Sequence, residues 1–565
     1  MSFHTRAPVG DQVCVIGTGV LGLVAIKNLI EQGLDVTAFE RNGHLGGNWH
    51  VSDDTNQVTA TAMTTANTSK QINGFTDFPF GDDVAVHPSS KSIREYLESY
   101  ARHFDLLQHI KFSTRVLKVE RDDATGKWIV HTQDASRSAS VTPTQQVFDR
   151  LVVATGLLNG RNMVNIPRVK EFSGDVLHSQ GFKDAYRYTG KNVLVVGIGA
   201  TGADTTSFLK KAGAANIYLS HRGQTYLLPR MVDGKAFDHS MSHRLNCIMR
   251  YLGSWSPGLV ITMMSKGLRS AQFKAFPWLA QHPSFSSPRP LPKAPMLHRV
   301  PIFSDDLAEN LGNGSVKSVL GIREVTGPRS LKLVDGTSLD DIDAIVICSG
   351  YHYDFSLVAG AGNPVDPDKA PEHYRRMRAT PYFDPGHPFP RLYHGFISEQ
   401  YPESLAFLGH MLIAGPPFVM YDLISMALAG LWTGNNTVPT GSEMRKDIDA
   451  HYDTIVKALH TDYVHHPGVR VNSKATYEWL NETAGTGVSD HIGNFSITAC
   501  KVWWNDRKFY NLLMDGVAVP AVYRLFDTGR GRKPWSGARA HIEKVNQEVA
   551  QMGEAWKKQE KTKQH

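Results

Sequence analysis

Residues 13–40, VCVIGTGVLGLVAIKNLIEQGLDVTAFE, decide how the rest of the chain is read. Val13 to Ile16 is a short, mostly β-branched apolar run bounded by Gly17, which suits the central strand of a parallel sheet. Gly17, Gly19 and Gly22 then stand at the spacing of a dinucleotide fingerprint, with Thr18, Val20 and Leu21 between them. The first glycine permits the tight turn, the second lets a pyrophosphate approach the backbone, and the third lets helix and strand pack closely. The predicted helix ends at Gly33, a natural C-cap, and its N-terminus offers unpaired N–H groups and positive dipole to phosphates. Glu40 closes the second strand, where an acid meets a ribose hydroxyl. The competing reading is a glycine turn that only packs. Strand, spacing and terminal acid together favour a nucleotide site.

At 565 residues the chain is too long for one ordinary core, so two or three domains are expected. Apolar content of 41% and charged content of 20% belong to a globular, water-facing protein. The net charge of +6 does not call for nucleic acid and suits anionic cofactors. Cys14, Cys247, Cys348 and Cys500 are far apart and form no CxxC, which removes a disulfide framework and the dithiol flavoenzymes. MSFHTRAPVGDQ lacks the apolar core of a secretory signal, so a cytoplasmic location is expected. The most membrane-like stretch, His410 to Trp432, is interrupted by Pro416, Pro417 and Asp422. It predicts a buried helix starting near Pro417 and no transmembrane segment. The 25 histidines show no HExxH and there is no GxxxxGK[ST], so neither a metal site nor an ATPase is expected.

After Glu40 comes RNGHLGGNW, in which Gly46 and Gly47 allow a close backbone approach and Asn48 and Trp49 follow. We read it as a second cofactor-contacting loop. Residues 61–80, TAMTTANTSKQINGFTDFPF, are polar and then aromatic without period, either a plain loop or a site loop. Lys91 to Phe104 carries Ile93, Tyr96, Leu97 and Tyr100 at helical spacing. Strands are expected around Ser113–Glu120, Lys127–Thr132 and Phe148–Thr155. A second unit, NVLVVGIGATGADTTSFLKKAGAANIYLSHRG, repeats the fingerprint at Gly197, Gly199 and Gly202, with Ala200 and Thr201 inside it. Where the first unit has Glu40, this one has Ser220, His221 and Arg222. Arg222 suits a ribose 2′-phosphate, which makes the second dinucleotide NADPH; a solvent-exposed arginine at a strand end is the plainer alternative. Residues 231–300 form an unassigned helix-and-loop insertion. Order returns at Ile302–Leu311, a hairpin-like pair (Val316–Val325, Ser330–Leu333) and the strand Ala344–Cys348. Near the end, Ile542, Val545, Val549, Met552 and Trp556 predict a docking helix, and Lys557 onward a solvated basic tail.

Between the fingerprints lies Phe172-Ser-Gly174-Asp-Val-Leu-His178-Ser-Gln-Gly-Phe182-Lys183. With this the chain resembles the flavin-containing monooxygenase family, whose signature is FxGxxxHxxx followed by an aromatic and a basic residue. Phe182 departs only in being Phe where Tyr is commonest, and the pattern resembles the N/S-oxygenating branch more than the Baeyer–Villiger enzymes. LGGNW, the loop Ala66-Asn67-Thr68-Ser69-Lys70, Asp-Phe-Pro at 77–79, Ala154-Thr-Gly156 and Cys348-Ser-Gly350-Tyr351 also match. The resemblance covers roughly residues 10–435. It implies an α/β fold with two Rossmann-like dinucleotide-binding domains. The FAD domain would comprise residues 10–165 and 341–470, with the NADPH domain 166–340 inserted, and residues 471–565 would be a C-terminal extension. It implies FAD on the first fingerprint, with Gly47, Asn48, Trp49, Asn67, Thr68 and Val116 also contacting cofactor, and NADPH on the second. NADPH reduces the flavin, O2 adds at C4a, and the hydroperoxide passes one oxygen atom to an amine, a thioether or a similar small molecule. Asn67 matches the asparagine between flavin and nicotinamide, a positioner rather than an acid or base. The alternatives are Baeyer–Villiger oxygenation of ketones and a catalytically silent FAD/NADPH redox sensor. Homo-oligomerisation is left open.

Overall fold

The structure is a computed structural model that describes residues 10–563, except 137–141, 222, 224, 283–284, 286–299, 412–414, 465, 468–472 and 494–495. The run Gln12–Ile16 forms the strand its composition demands. It lies between Asp35–Phe39 and Arg150–Val153, parallel to both, with Val13, Cys14 and Val15 fully buried. A strand covered on both faces has no polar side to alternate with, hence the unbroken apolar run. The helix Val20–Glu31 follows, and Ile110–Lys111 at one edge with the returning segments Leu392–Tyr393, Ile397–Ser398 and Leu405–Phe407 at the other complete a seven-stranded sheet.

The second unit is built alike. Asn192–Val196 is central in a five-stranded sheet, flanked by Asn216–Ser220 and Ala344–Ile347, with Val316–Val319 and Asp175–His178 at the edges. The strand Ala344–Ile347 thus pairs inside the second sheet, so the division drawn at 340/341 cuts off one of that sheet's own strands. Two expected strands also divide. Phe148 ends Thr144–Phe148 of an antiparallel three-stranded sheet, whereas Arg150–Val153 enters the large parallel one. Val316–Val319 joins the five-stranded sheet, whereas Ile322–Gly327 pairs with Ser330–Leu333. In each case one apolar run serves two sheets, which periodicity alone does not separate.

The apolar run beyond His410 forms the buried helix Pro417–Trp432, with proline at its first turn, packed against Val20–Glu31. Among the described residues no helix is long and apolar enough to cross a membrane. Asp422, the charge inside that run, is fully buried and satisfied. Its carboxylate accepts from Asn28 Nδ2 (2.8 Å), Thr76 N (2.8 Å) and Thr76 Oγ1 (2.7 Å). Arg524, 1% exposed, continues the network, donating to Glu31 (2.7 Å), Asn28 (2.8 Å) and Thr76 (3.1 Å). Lys27 pairs with Glu31 at 2.6 Å and with Asp77. Buried charges persist only when paired and hydrogen-bonded, and here four distant segments supply the partners.

The helix Ala538–Lys563 docks as its spacing predicts, burying Ile542, Val545 and Val549 in a core that also holds Ile72, Phe509 and Leu513. It stays helical to Lys563, through the residues read as a solvated tail. The C-terminal part therefore packs beneath the segment around residue 72.

Candidate active site

Each fingerprint turns on glycines that no other residue could replace. Gly17 adopts φ +98°, and a Cβ on Gly22 would sit 1.9 Å from the Gly17 carbonyl oxygen. Gly197 adopts φ +116°, and a Cβ on Gly202 would again sit 1.9 Å from the carbonyl oxygen of Gly197. Helices Val20–Glu31 and Ala200–Lys211 begin at Gly19 and Gly199, and neither N-terminus is capped by a side chain. Uncapped N–H groups on a helix dipole form an anion site. Gly199 has nothing within 4 Å of its Cβ position, and Gly199, Ala200 and Thr201 are exposed. This N-terminus has room for a ligand.

The loop after Glu40 reaches the first fingerprint. A Cβ on Gly47 would lie 3.0 Å from Gly19 Cα, and Gly46 N–H donates to the Thr18 carbonyl at 3.0 Å. Two glycine backbones thus meet, at a distance that a side chain on Gly47 would crowd. Asn48 is exposed there, and half-buried Trp49 packs on the core that holds Val20 and Leu21. Glu40, 5% exposed, accepts from Thr18 N (2.9 Å) and Thr18 Oγ1 (3.0 Å) through one oxygen and from Asn42 N (2.9 Å) through the other. It therefore also holds the turn, a role that a ribose contact alone would not reveal. Val116 lies two residues beyond Thr114, whose N–H donates to the Glu40 carbonyl at 2.8 Å. These features fit a dinucleotide.

In the second unit the Ser220 hydroxyl donates to the Leu320 carbonyl (2.9 Å), while His221 bonds Ser318 (2.7 Å) and Gly223 (2.9 Å). Ser220 thus braces the strand end. Arg222 lies outside the described residues.

The segment 61–80 divides by composition. Its aromatic half is core, with Phe80 stacked on Tyr96 at 3.9 Å, while the Tyr96 hydroxyl accepts from Phe75 N–H (2.8 Å) and donates to the Phe78 carbonyl (2.6 Å). Its polar half faces the second unit. Met63 packs on that unit's core, and Ser69 N–H donates to Asp238 at 2.7 Å. Asn67 is exposed, half-buried Thr68 follows, and Asn67 Oδ1 accepts from Arg230 Nη2 (3.0 Å) and Nε (3.3 Å). A guanidinium only donates, so the oxygen must face Arg230 and the amide N–H groups are left to donate elsewhere. Sequence reading missed Arg230. It is 163 residues away, in a stretch without periodicity.

The motif around His178 forms a clamp. Gly174 is required because a Cβ would meet the Asp343 carbonyl oxygen at 2.3 Å. His178 Nε2 donates to the Gly350 carbonyl (2.9 Å), while its Nδ1 accepts from Gln180 N–H (3.2 Å). Burial lowers the pKa of this imidazole, favouring the neutral tautomer those bonds need. Lys183 donates to the Gln57 carbonyl (2.9 Å) and Thr59 (2.8 Å), tying the second unit to the loop behind Trp49.

Two phosphate-ready helix ends, joined by one asparagine loop, are what a two-dinucleotide oxidoreductase requires. Residues 10–369 match the family described as flavin-binding monooxygenase-like. The chain is 34% identical to monooxygenase aurF of Gibberella zeae over 94% of its length and 97% of that protein. It is 31% identical to dimethylaniline monooxygenase (N-oxide-forming) 2 of Cavia porcellus over 62% of this chain and 63% of that one. Among solved structures, the S-allyl-L-cysteine S-oxygenase from Allium sativum shares the fold, with a TM-score of 0.60, 19% identity and coverage of 98% of this chain and 100% of its own. The chain belongs to the flavin-binding monooxygenase-like family.

Proposed function

We propose that this protein is an NADPH-dependent FAD monooxygenase that inserts one oxygen atom from O2 into a small molecule through a soft nitrogen or sulfur atom. The observation that carries the reading is the pair of uncapped fingerprint helices with the Asn67 loop between them, bonded to the second unit through Arg230. The relatives named for N-oxide and S-oxygen chemistry support it. Bound flavin, reduced by NADPH, supplies the activation of O2; the chain binds, orients and shields.

In this reading Gly17, Gly19 and Gly22 with Gly47 hold the FAD diphosphate at the N-terminus of Val20–Glu31. Gly197, Gly199 and Gly202 hold that of NADPH. Asn67, fixed through its oxygen, offers N–H groups toward the junction of the two cofactors. No side-chain nucleophile is needed. Oxygen uptake by the purified protein with NADPH, run against a tertiary amine, a thioether and a cyclic ketone with products identified, tests the assignment. An N- or S-oxide is expected. A lactone would move the protein to the Baeyer–Villiger class, and no substrate-dependent uptake would leave a redox sensor.

Gly202→Ala is expected to purify yellow yet lose NADPH-driven flavin reduction, because its methyl group collides with the Gly197 carbonyl. Retained reduction by NADPH in stopped flow would remove the second fingerprint from cofactor binding. For Arg222→Gln the expected result is a KM for NADPH raised on the order of tenfold with that for NADH little changed, the size of one lost charge-assisted contact. Equal effects on both cofactors would reject the 2′-phosphate role.

A further inference from the structure

We propose that Gln71, His239 and Glu548 are positioning residues: they tie the contact between Asn67 and Arg230 to the C-terminal helix Ala538–Lys563 and so fix how the two dinucleotide sites face each other. The inference rests on the monooxygenase reading of that site. Asn67 belongs to a closed ring of bonds. Arg230 donates to its side chain, and the Arg230 carbonyl accepts from Phe237 N–H at 2.8 Å. Asp238, the next residue, accepts from Ser69 N–H at 2.7 Å, which returns the ring to the loop two residues beyond Asn67. Between Arg230 and Phe237 runs a hairpin that pairs Met231 with Ala236 and Val232 with Lys235.

The C-terminal helix grips both sides of this ring. On the loop side, Gln71 Nε2 donates to Glu548 Oε1 at 3.0 Å, and Ile72 lies in one core with Val545 and Val549. On the hairpin side, Gly234 is pressed against Trp556 and Gly553 against Lys235, with no room for a Cβ at either glycine. His239 joins the two sides. Because Gln71 gives its N–H to Glu548, its oxygen faces His239 Nε2 at 3.2 Å, and that nitrogen must carry the proton. Gln71 is 3% exposed and His239 8%.

Docking alone does not call for these groups. The helix is seated by Ile542, Val545 and Val549, and such an apolar stripe has no need of a half-buried acid at position 548. The cluster is also unfavourable in itself. Ser69 Oγ, Asp238 Oδ1 and His239 Nδ1 are buried without a hydrogen-bond partner among the described residues, and an unsatisfied buried polar atom destabilises. Polar groups kept in that state, beside the loop that carries Asn67, serve geometry rather than stability.

The test uses the FAD-loaded protein with NADPH and a thioether. Glu548→Ala should bind FAD as fully as the wild type but form about threefold less product per NADPH, with H2O2 making up the difference. Glu548→Gln, which keeps an acceptor for Gln71, should restore coupling. In an Asn67→Ala background, Glu548→Ala should add no further loss, because it acts through Asn67. Without substrate, amide hydrogen exchange in peptides covering residues 64–71 and 230–240 should quicken in Glu548→Ala and return to wild-type rates in Glu548→Gln. Unchanged coupling and exchange in Glu548→Ala would overturn the proposal. So would an equal loss in Glu548→Gln, or a loss that adds to that of Asn67→Ala. A wild-type protein that oxygenates nothing would fail the monooxygenase reading instead, and hydrogen exchange would still decide whether Glu548 holds the two segments.

Discussion

Arg524→Ala should destabilise the FAD-loaded protein by about 3–5 kcal/mol, the cost of removing one partner from a buried ion pair. The residue is 1% exposed and its guanidinium reaches Glu31, Asn28, Thr76 and the Lys533 carbonyl. Without it, Glu31 and Asp77 share only Lys27, and Asn28 and Thr76 each lose a bond. The loss lies far from both fingerprint turns, so flavin should still bind to whatever fraction folds. Chemical denaturation followed by flavin release measures it; a change below about 1 kcal/mol would show that solvent reaches the cluster. Acid gives a second readout. Burial alone would raise the Glu31 carboxyl, but Arg524 and Lys27 pull it down from 4.5 to about 2. A depressed carboxylate stabilises the fold above its unfolded pKa, and that stability drains away as pH falls through the folded one. The wild-type protein should therefore lose stability between pH 4.5 and about 2, and Arg524→Ala should lose less there, having less to lose.

Asn67→Ala should leave the protein yellow and able to oxidise NADPH, while product formed per NADPH falls about tenfold and H2O2 takes its place. That is the scale of one hydrogen bond to a charged or strongly polarised group. The contact with Arg230 supplies a sharper variant. Asn67→Asp keeps an acceptor for the guanidinium, in the same place and with more charge, but has no N–H to donate. If the amide hydrogens do the positioning, Asn67→Asp should uncouple as severely as Asn67→Ala although its loop stays anchored. Full coupling in the aspartate variant would mean that the anchor matters and the donor does not. Peroxide release and oxygenated product, measured together, separate the two.

Both fingerprints were legible because glycine spacing encodes backbone geometry over a few residues, and the clash at Gly22 is local to its own turn. Asp422 was legible as an interruption, enough to turn a membrane-like run into a buried helix. Its partners were not, since Thr76 lies 346 residues away and carries no pattern of its own. Arg230 was invisible for the same reason. The signature around His178 was recognised as a string, yet its physics, a neutral imidazole pinned to the Gly350 carbonyl, appears only once the two strand ends meet. The division at 340/341 failed because a parallel sheet admits a strand from far along the chain without any local mark, as Ala344–Ile347 does.

Arg524 reaches the solution 493 residues after Glu31, the carboxylate it neutralises. At about 5–20 residues per second, a ribosome needs on the order of 25 to 100 s to cover that interval. Through all that time the first fingerprint helix exists with Glu31 short of one of its two cations and without the C-terminal core beneath the Asn67 loop. The earliest residues made are thus among the last to be secured. A nascent chain stalled or cut before residue 524 carries a complete pair of glycine turns and an unfinished protein.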